Sequence, residues 1–195
     1  MSQKVSNVTT AKPKVGGAVF VAPTGTALPT DATSELDKAF VSLGYISEDG
    51  MTNTNSPETD TKKAWGGDPV YTSQTSKDDE FSFTLIEALN VDVLKAVYGE
   101  DNVTGDLESG IHVKATTTQL PTMSYVIDTI LRDNTMKRIV IAKADITEIG
   151  EISYTDDDLM GYEITLSALP EDGVTHDEYI ATATSTSKAS TASTK

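Results

Sequence analysis

The 195-residue sequence contains no cysteine, only two histidines and a single tryptophan. Without cysteine, the chain cannot form a disulfide framework or a thiolate metal site. The two histidines, His112 and His176, lack the spacing of a zinc site, which needs roughly three or four converging ligands. We therefore expect no metal and no cofactor, and we assign structural or solvated roles to both histidines.

Motifs typical of enzymes are also missing. The chain has no G-x-S-x-G elbow, no Walker loop, no H-E-x-x-H helix and no dinucleotide fingerprint. The acidic runs at 48–49 and 156–158 offer oxygen ligands that Ca²⁺ accepts, but neither has the spacing of an EF-hand. Solvated acidic turns are the simpler interpretation. We predict that the protein has no catalytic residues and is not an enzyme.

Positive charge is scarce, because 15 Lys and Arg residues stand against 30 Asp and Glu residues and the formal net charge is −15. General attraction to nucleic-acid phosphates is therefore not expected. No apolar run approaches the roughly 20 residues that a membrane-spanning helix needs, and the N-terminus lacks the layout of a signal peptide. These features predict synthesis in a cytoplasm without membrane insertion of this chain.

The length favours one domain with a sizeable core. We divide the chain into a polar N-terminal arm at 1–14, one domain at 15–180 and a Ser/Thr/Ala-rich tail at 181–195. The arm ends at Lys12-Pro13-Lys14, where proline disfavours a helix. The composition of the tail cannot bury enough apolar surface to order the segment by itself.

Alternating apolar and polar residues predict a mainly β fold. Phe81, Phe83 and Leu85 alternate with hydroxyl residues, and Tyr162, Ile164 and Leu166 repeat the pattern near the other end of the chain. Arg132 to Met136 reads as a hairpin connection, and Glu48-Asp-Gly50 reads as a turn. Many strands with few helices are typical of a sandwich or barrel. The predicted strands are 16–22, 40–47, 81–85, 111–117, 124–132, 137–145, 149–154 and 160–169.

Two segments depart from this pattern. Asn90 is a good N-cap and Gly99 a good C-cap for a helix at 91–98, the only convincing helix. Residues 51–69 are polar and predict a long loop, and loops of this length are usually functional or disordered. Trp65 lies within this loop. A large aromatic residue in a polar loop favours an interface anchor over a core residue.

Three stretches carry a family resemblance: the turn from Leu43-Gly44 to Gly50, the run Ala64-Trp-Gly-Gly67, and the strand-to-helix run ending at Tyr98-Gly99. With them, the chain resembles the major tail protein of long-tailed, non-contractile bacteriophages, the subunit of the tail tube. The resemblance implies a structural virion protein with a tail-tube-like β-sandwich or barrel, one flanking α-helix and a long stacking loop. It also implies self-assembly into stacked, hexameric rings that conduct DNA during ejection.

The same resemblance implies partners and sites. The partners would be further copies of the chain and the tape-measure, tail-tip and tail-terminator proteins, and DNA would pass through the virion tail without sticking. The long loop would contact the adjacent ring, through Asn53, Asn55, Pro57, Lys62, Lys63, Trp65, Gly66 and Gly67.

Hydroxyl and acidic side chains on well-formed strands cannot belong to a dry core, and they are our candidates for the lumen wall: Ser82, Thr84, Asp128, Glu163, Thr165 and Ser167. These side chains could equally face outer solvent. The alternative function, from another class, is a soluble β-sandwich module that binds carbohydrate or decorates a surface.

Overall fold

The computed structural model of the protein describes residues 3–14 and 17–182. These residues form eleven strands and one α-helix, with three short 3-10 turns at Val5–Asn7, Glu100–Asn102 and Arg132–Asn134. The elements are β1 (Lys12–Pro13), β2 (Val19–Pro23), β3 (Val41–Ser42), β4 (Ile46–Lys63), β5 (Pro69–Leu85), α1 (Val91–Tyr98), β6 (Val103–Thr104), β7 (His112–Val113), β8 (Met123–Ile130), β9 (Thr135–Ile149), β10 (Tyr162–Ala168) and β11 (Asp177–Thr182).

A nine-stranded antiparallel sheet forms most of the molecule, with the strand order β3-β2-β8-β9-β10-β5-β4. Strand β1 adds to β8, and β11 adds to β9, whereas β6 and β7 pair separately. The long strand β9 lies at the centre of the sheet. Along one edge it pairs with β8, from Met136 to Ala144. Along the other edge it pairs first with β11 and then with β10. The expected mainly β fold with one α-helix is confirmed.

The core lies on one side of this sheet. Phe81, Phe83 and Leu85 of β5 are buried, and so are Tyr162, Ile164 and Leu166 of β10, which pair with them strand to strand. Period-two alternation places all of these side chains on one face. The predicted division of β10 into an inward apolar set and an outward polar set is therefore confirmed.

Helix α1 packs against this core as predicted. The side chain of Asn90 accepts a hydrogen bond from the backbone N–H of Asp92 at 3.0 Å, which caps the first turn. Val93, Leu94 and Val97 are buried against the sheet. Gly99 ends the helix with a φ of 95°, a conformation that side chains rarely adopt.

The opposite side of β8 and β9 carries a buried ion pair. The Nε and Nη2 atoms of Arg138 donate to the two carboxylate oxygens of Asp128 at 2.7 and 2.9 Å. Lys14 adds a third contact to Asp128 at 3.1 Å. The Nη1 atom of Arg138 donates to the carbonyl oxygens of Asp31 and Ser34, at 3.2 and 2.9 Å. The pair therefore attaches the connection between β2 and β3 to the sheet.

This ion pair corrects one lumen candidate. Asp128 is fully buried within the subunit, so it cannot line a channel. Its position on a strand was predicted correctly, and it lies on the side of the sheet away from the apolar core, as predicted. The alternation of β8 does not predict that the connection between β2 and β3 covers this side.

The predicted long loop at 51–69 is wrong. Strands β4 and β5 form one long hairpin, which pairs from Ile46 with Leu85 to Lys63 with Pro69. Only residues 64–68, between the two strands, form a turn. The predicted turn at Glu48-Asp-Gly50 is instead a bulge inside β4, where the residues between Ile46 and Met51 oppose a shorter stretch of β5. Gly50 has a φ of 77°, so its conformational freedom serves the bulge.

Other strand boundaries need smaller corrections. Of the predicted strand at 111–117, only His112–Val113 forms, and the predicted strand at 149–154 is irregular beyond Ile149. Strand β11 was not predicted, and its Ala181 and Thr182 belong to the segment that we assigned to the tail. The rest of that tail lies outside the described residues. The hairpin at Arg132 to Met136 is confirmed, with Asp133 and Asn134 both at positive φ, as short hairpin turns require.

Replacing Arg138 with alanine should lower the free energy of unfolding by about 3 to 5 kcal/mol, because Asp128 would remain as a buried charge without its main partner. Chemical denaturation of the subunit measures this loss. The control is Lys137→Ala, which removes a cation that forms a partly exposed ion pair with Glu178. Its cost should stay below about 1 kcal/mol.

A double variant separates charge from packing. Arg138→Met combined with Asp128→Leu removes both charges and should be more stable than Arg138→Ala. Equal losses in the single and double variants would contradict the role of the unpaired charge.

Candidate functional site

The hairpin of β4 and β5 extends past the sheet. The pairing of β5 with β10 ends where Glu80 meets Ser167, yet β4 and β5 continue to pair with each other as far as Lys63 and Pro69. We call residues 55–79 the hairpin arm. At about 3.3 Å per residue, the arm projects roughly 30 Å from the sheet. It is the most prominent feature of the subunit that no internal packing explains.

The arm ends in a tight turn that displays Trp65. Ala64 and Asp68 close the turn through a backbone hydrogen bond of 2.8 Å, and Gly66 and Gly67 both have positive φ. The Trp65 side chain is fully exposed, at 105% of its reference area. Trp65 is therefore not a core residue, which removes the alternative to an interface role that the sequence left open. Val70 and Tyr71 are exposed beside it.

All the residues predicted for ring stacking are exposed and lie on the arm, at its tip or at its base. Asn53 is at the base, whereas Asn55, Pro57, Lys62 and Lys63 follow along β4. Trp65, Gly66 and Gly67 form the tip. Strand β4 is an outer strand of the sheet, where the missing N–H of Pro57 costs no ladder hydrogen bond. Proline and lysine on an edge also discourage unspecific strand pairing.

A buried carboxylate fixes the base of the arm. Asp79 accepts hydrogen bonds from the Thr175 hydroxyl at 2.5 Å and from the Asn53 amide at 2.8 Å. The Nδ1 atom of His176 lies 2.5 Å from Asp79, and its ring packs edge-on against Phe81. Burial by itself would raise the pKa of Asp79, but the hydrogen bonds from Thr175, Asn53 and His176 outweigh it and hold this pKa below the usual value. The arm therefore leaves the sheet from a fixed anchor.

The remaining lumen candidates form one continuous polar face. Thr165 lies opposite Ser82, Glu163 opposite Thr84, and Ser167 opposite Glu80. The hydroxyls of Ser82 and Thr165 are hydrogen-bonded at 2.9 Å. Of the candidates here, Glu163 is exposed and the hydroxyl residues are half-buried. The structure thus brings together Ser82, Thr84, Glu163, Thr165 and Ser167, and separates them from Asp128.

The polar face continues onto β9. Asp145 lies opposite Ser167, and its carboxylate accepts a hydrogen bond of 2.6 Å from the hydroxyl of Thr122. Ser82 pairs directly with Thr165, and Thr84 pairs directly with Glu163, so this part of the face has no lysine or arginine. The face is therefore a hydroxyl- and carboxylate-rich surface, which gives phosphate groups little to bind.

A family model described as phage tail tube protein matches residues 3–192 of the chain. The chain belongs to the phage tail tube protein family. The resemblance drawn from the sequence is thereby confirmed, and the protein is a structural component of the phage tail. No curated protein matches the chain.

Within residues 3–14 and 17–182, no three His, Asp or Glu side chains converge as a metal site would require. No helix in the same part of the chain is long and apolar enough to cross a membrane. His112 is exposed, and His176 has the structural contact with Asp79 described above.

The arm and its anchor were missed by the sequence analysis, although one signal was present. Threonines recur at every second position in β4, at Thr52 and Thr54 and again at Thr59 and Thr61. Such β-branched residues favour strands even where no apolar side chain alternates with them. Asp79 offers no comparable signal, because its partners Thr175 and His176 are distant in the sequence.

Replacing Asp79 with asparagine should weaken the subunit by about 1 to 3 kcal/mol at pH 7, because the hydrogen bonds to a buried carboxylate are lost or weakened. Since the pKa of Asp79 is lower in the folded state, its stabilisation is complete above the ordinary value of 3.8 and is lost as the pH falls through the lowered value. The difference between the variant and the unaltered protein should therefore shrink on acidification. Denaturation at a series of pH values measures it.

The control for this prediction is Asp78→Asn, which removes the neighbouring carboxylate at an exposed position. It should change stability little at any pH. A difference between Asp79→Asn and the unaltered protein that stays constant down to about pH 2 would contradict the linkage.

Proposed function

We propose that the protein assembles into hexameric rings that stack into the tube of a long, non-contractile phage tail and form the conduit for DNA ejection. Membership of the tail tube family supports the tube, and the exposed hairpin arm supports the stacking. The arm is the observation that carries the proposal, because it reaches beyond its own subunit and displays an unburied tryptophan.

An isolated two-stranded ribbon is at best marginally stable in water. The arm nevertheless continues well beyond the last strand that pairs with it, and its aromatic side chains contribute no burial inside the subunit. A neighbouring ring that covers the arm would bury Trp65, Val70 and Tyr71 and would stabilise the ribbon. Large aromatic residues are the side chains that contribute most to such interfaces. We therefore assign ring stacking to the arm.

We assign the polar face of β5 and β10 to the lumen. DNA that passes through a tube must not bind its wall, and Ser82, Thr84, Glu163, Thr165 and Ser167 offer hydroxyl and carboxylate groups in place of cations. The apolar side chains of the same strands are already buried in the core, so this face is free to contact water.

The negative charge of the chain has a cost for assembly. Six copies with a formal net charge of −15 each repel one another within a ring. At 0.1 M ionic strength, salt screens the repulsion between exposed charges that are more than about 10 Å apart. Tubes should therefore form more readily as the salt concentration increases. Tape-measure, tail-tip and tail-terminator proteins would be the remaining partners, present during assembly in the host cytoplasm and in the virion tail.

Shortening the arm should abolish tubes but preserve the fold. Residues 56–78 would be replaced by a two-residue turn between the paired Asn55 and Asp79, which leaves Asn53 and Asp79 in place to anchor the base. We expect a folded subunit that forms no long tubes, because the stacking surface is gone. Negative-stain electron microscopy over a range of protein and salt concentrations provides the measurement, with the unaltered chain beside it.

Trp65→Ala is the milder companion variant. It should weaken stacking more than folding, since the side chain touches no core residue. Circular dichroism and a denaturation curve check the fold of both variants. Normal tubes from the shortened chain would exclude the arm as the stacking element.

A single cysteine at Glu163 tests the lumen assignment, and the chain has no native cysteine to compete. In tubes of Glu163→Cys, a small maleimide dye should react, whereas a maleimide attached to a polymer too large for the bore should not. Both reagents should label the unassembled subunit, because position 163 is exposed there. Mass spectrometry counts the labelled chains.

The other labelling patterns have equally clear meanings. Reaction of the tubes with both reagents would place β10 on the outer surface. Reaction with neither would place it in a contact between subunits. Either pattern contradicts the assignment of the polar face to the lumen.

A further inference from the structure

An apolar groove of about 600 Å³ opens beside helix α1. Its walls come from the helix, the end of β2, β3 and the start of β8, and they include Val21, Val41, Ala96, Leu120, Met123 and Tyr125. Cavities of this size and character are typical of sites that receive a buried side chain or ligand. Asp92, Lys95 and Glu100 border the groove.

The groove and the arm tip point in opposite directions along the strands. Successive antiparallel pairings from β5 through β10, β9 and β8 to β2 give β5, β9 and β2 the same direction. The arm tip precedes β5. The groove lies where β2 ends at Pro23 and where β8 begins at Met123, on the side toward which β5 runs. The arm therefore cannot reach the groove of its own subunit.

We propose that the groove receives Trp65 from the arm of a second copy of this chain in the adjacent ring. The inference rests on the proposed stacking function and names the surface that accepts the arm. A shift of one subunit along the strand direction brings an arm tip toward the groove end of its neighbour. Such a head-to-tail contact does not close on itself and builds a filament.

Shape and charge agree with this occupant. Trp65 is the largest exposed apolar side chain of the arm, and the groove offers an apolar space for it. Lys62 and Lys63 directly precede the tip, and both are exposed. Asp92 and Glu100 stand at the border of the groove together with Lys95, so the border carries a net negative charge. Lys62 is already paired with Asp60 at 2.5 Å. In a chain with twice as many acidic as basic residues, Lys63 is the cation beside the inserted tryptophan that would offset repulsion at the contact.

The only tryptophan of the chain makes the proposal measurable. Its fluorescence should shift from the long wavelength of a water-exposed indole to a shorter wavelength when the unaltered protein assembles. Ala96→Phe fills the groove from the helix side and should abolish both this shift and long tubes. The control is Ala11→Phe, the same substitution at an exposed position outside the groove. It should assemble and shift as the unaltered protein does.

Crosslinking provides a second measurement that does not depend on the folding of Ala96→Phe. Subunits with Lys63→Cys are mixed with subunits carrying Asp92→Cys, assembled, and treated with a short bis-maleimide. We expect a crosslinked dimer on a denaturing gel. Lys77→Cys, at the same residue type on the same arm but far from the tip, should give no dimer with Asp92→Cys.

The outcomes separate the groove from the broader function. Tubes that show the blue shift in Ala96→Phe as well, or that crosslink through Lys77→Cys but not Lys63→Cys, would overturn the groove and leave ring stacking intact. Tubes that remain normal after shortening of the arm would overturn arm-mediated stacking. Failure of the unaltered chain to form rings or tubes with its tail partners would overturn both.

Discussion

The buried pair of Arg138 and Asp128 is the interaction on which the arrangement of this subunit depends. It joins β8 to β9, holds Lys14 at the N-terminal side and binds the carbonyl groups of Asp31 and Ser34. Burying two charges is costly, and only their close geometry and additional hydrogen bonds offset that cost. Here every polar atom of the guanidinium faces an acceptor. Its hydrogen bonds to Asp31 and Ser34 fix the place of the covering segment on the sheet.

That placement divides the outer side of the sheet into two regions. Over β8 and β9, the segment between β2 and β3 covers Asp128 and Arg138. Over β5 and β10, the sheet remains uncovered, and its side chains are hydroxyls and carboxylates such as Ser82, Thr165 and Glu163. The same strand alternation that builds the apolar core thus also provides a water-facing wall. One side of β5 stabilises the subunit, and the other side is available to the assembly.

The sequence predicts those parts of the fold in which burial is periodic. The alternation of apolar and polar residues predicted β10 and the part of β5 that pairs with it. The capping residues Asn90 and Gly99 predicted α1 with the bounds that are observed. Alternation failed for the arm, because the arm packs against nothing in its own subunit and therefore carries no apolar period. It failed for Asp128 for a related reason. A period gives the face on which a side chain lies, but it does not give the distant segment that covers this face.

The site could be predicted in part for the same reasons. The isolated tryptophan in a polar stretch indicated Trp65 as an interface residue, and its full exposure fits that prediction. The anchor at Asp79 required contacts with Thr175 and His176, which are about a hundred positions away. The groove beside α1 combines residues from five separate segments, none of which is unusual in composition. Such features arise only from tertiary structure.

The opposed directions of the arm and the groove give any stack of these subunits a polarity. One end of the stack would present bare aromatic tips, and the other end would present apolar grooves bordered by Asp92, Lys95 and Glu100. The protein that starts the stack and the protein that caps it would then face two chemically different surfaces. Each would need its own complementary shape, so that neither could replace the other. In a long-tailed particle, one end of the tail faces the head and the other end faces the host. The orientation of a single hairpin would make these two ends of the tube different.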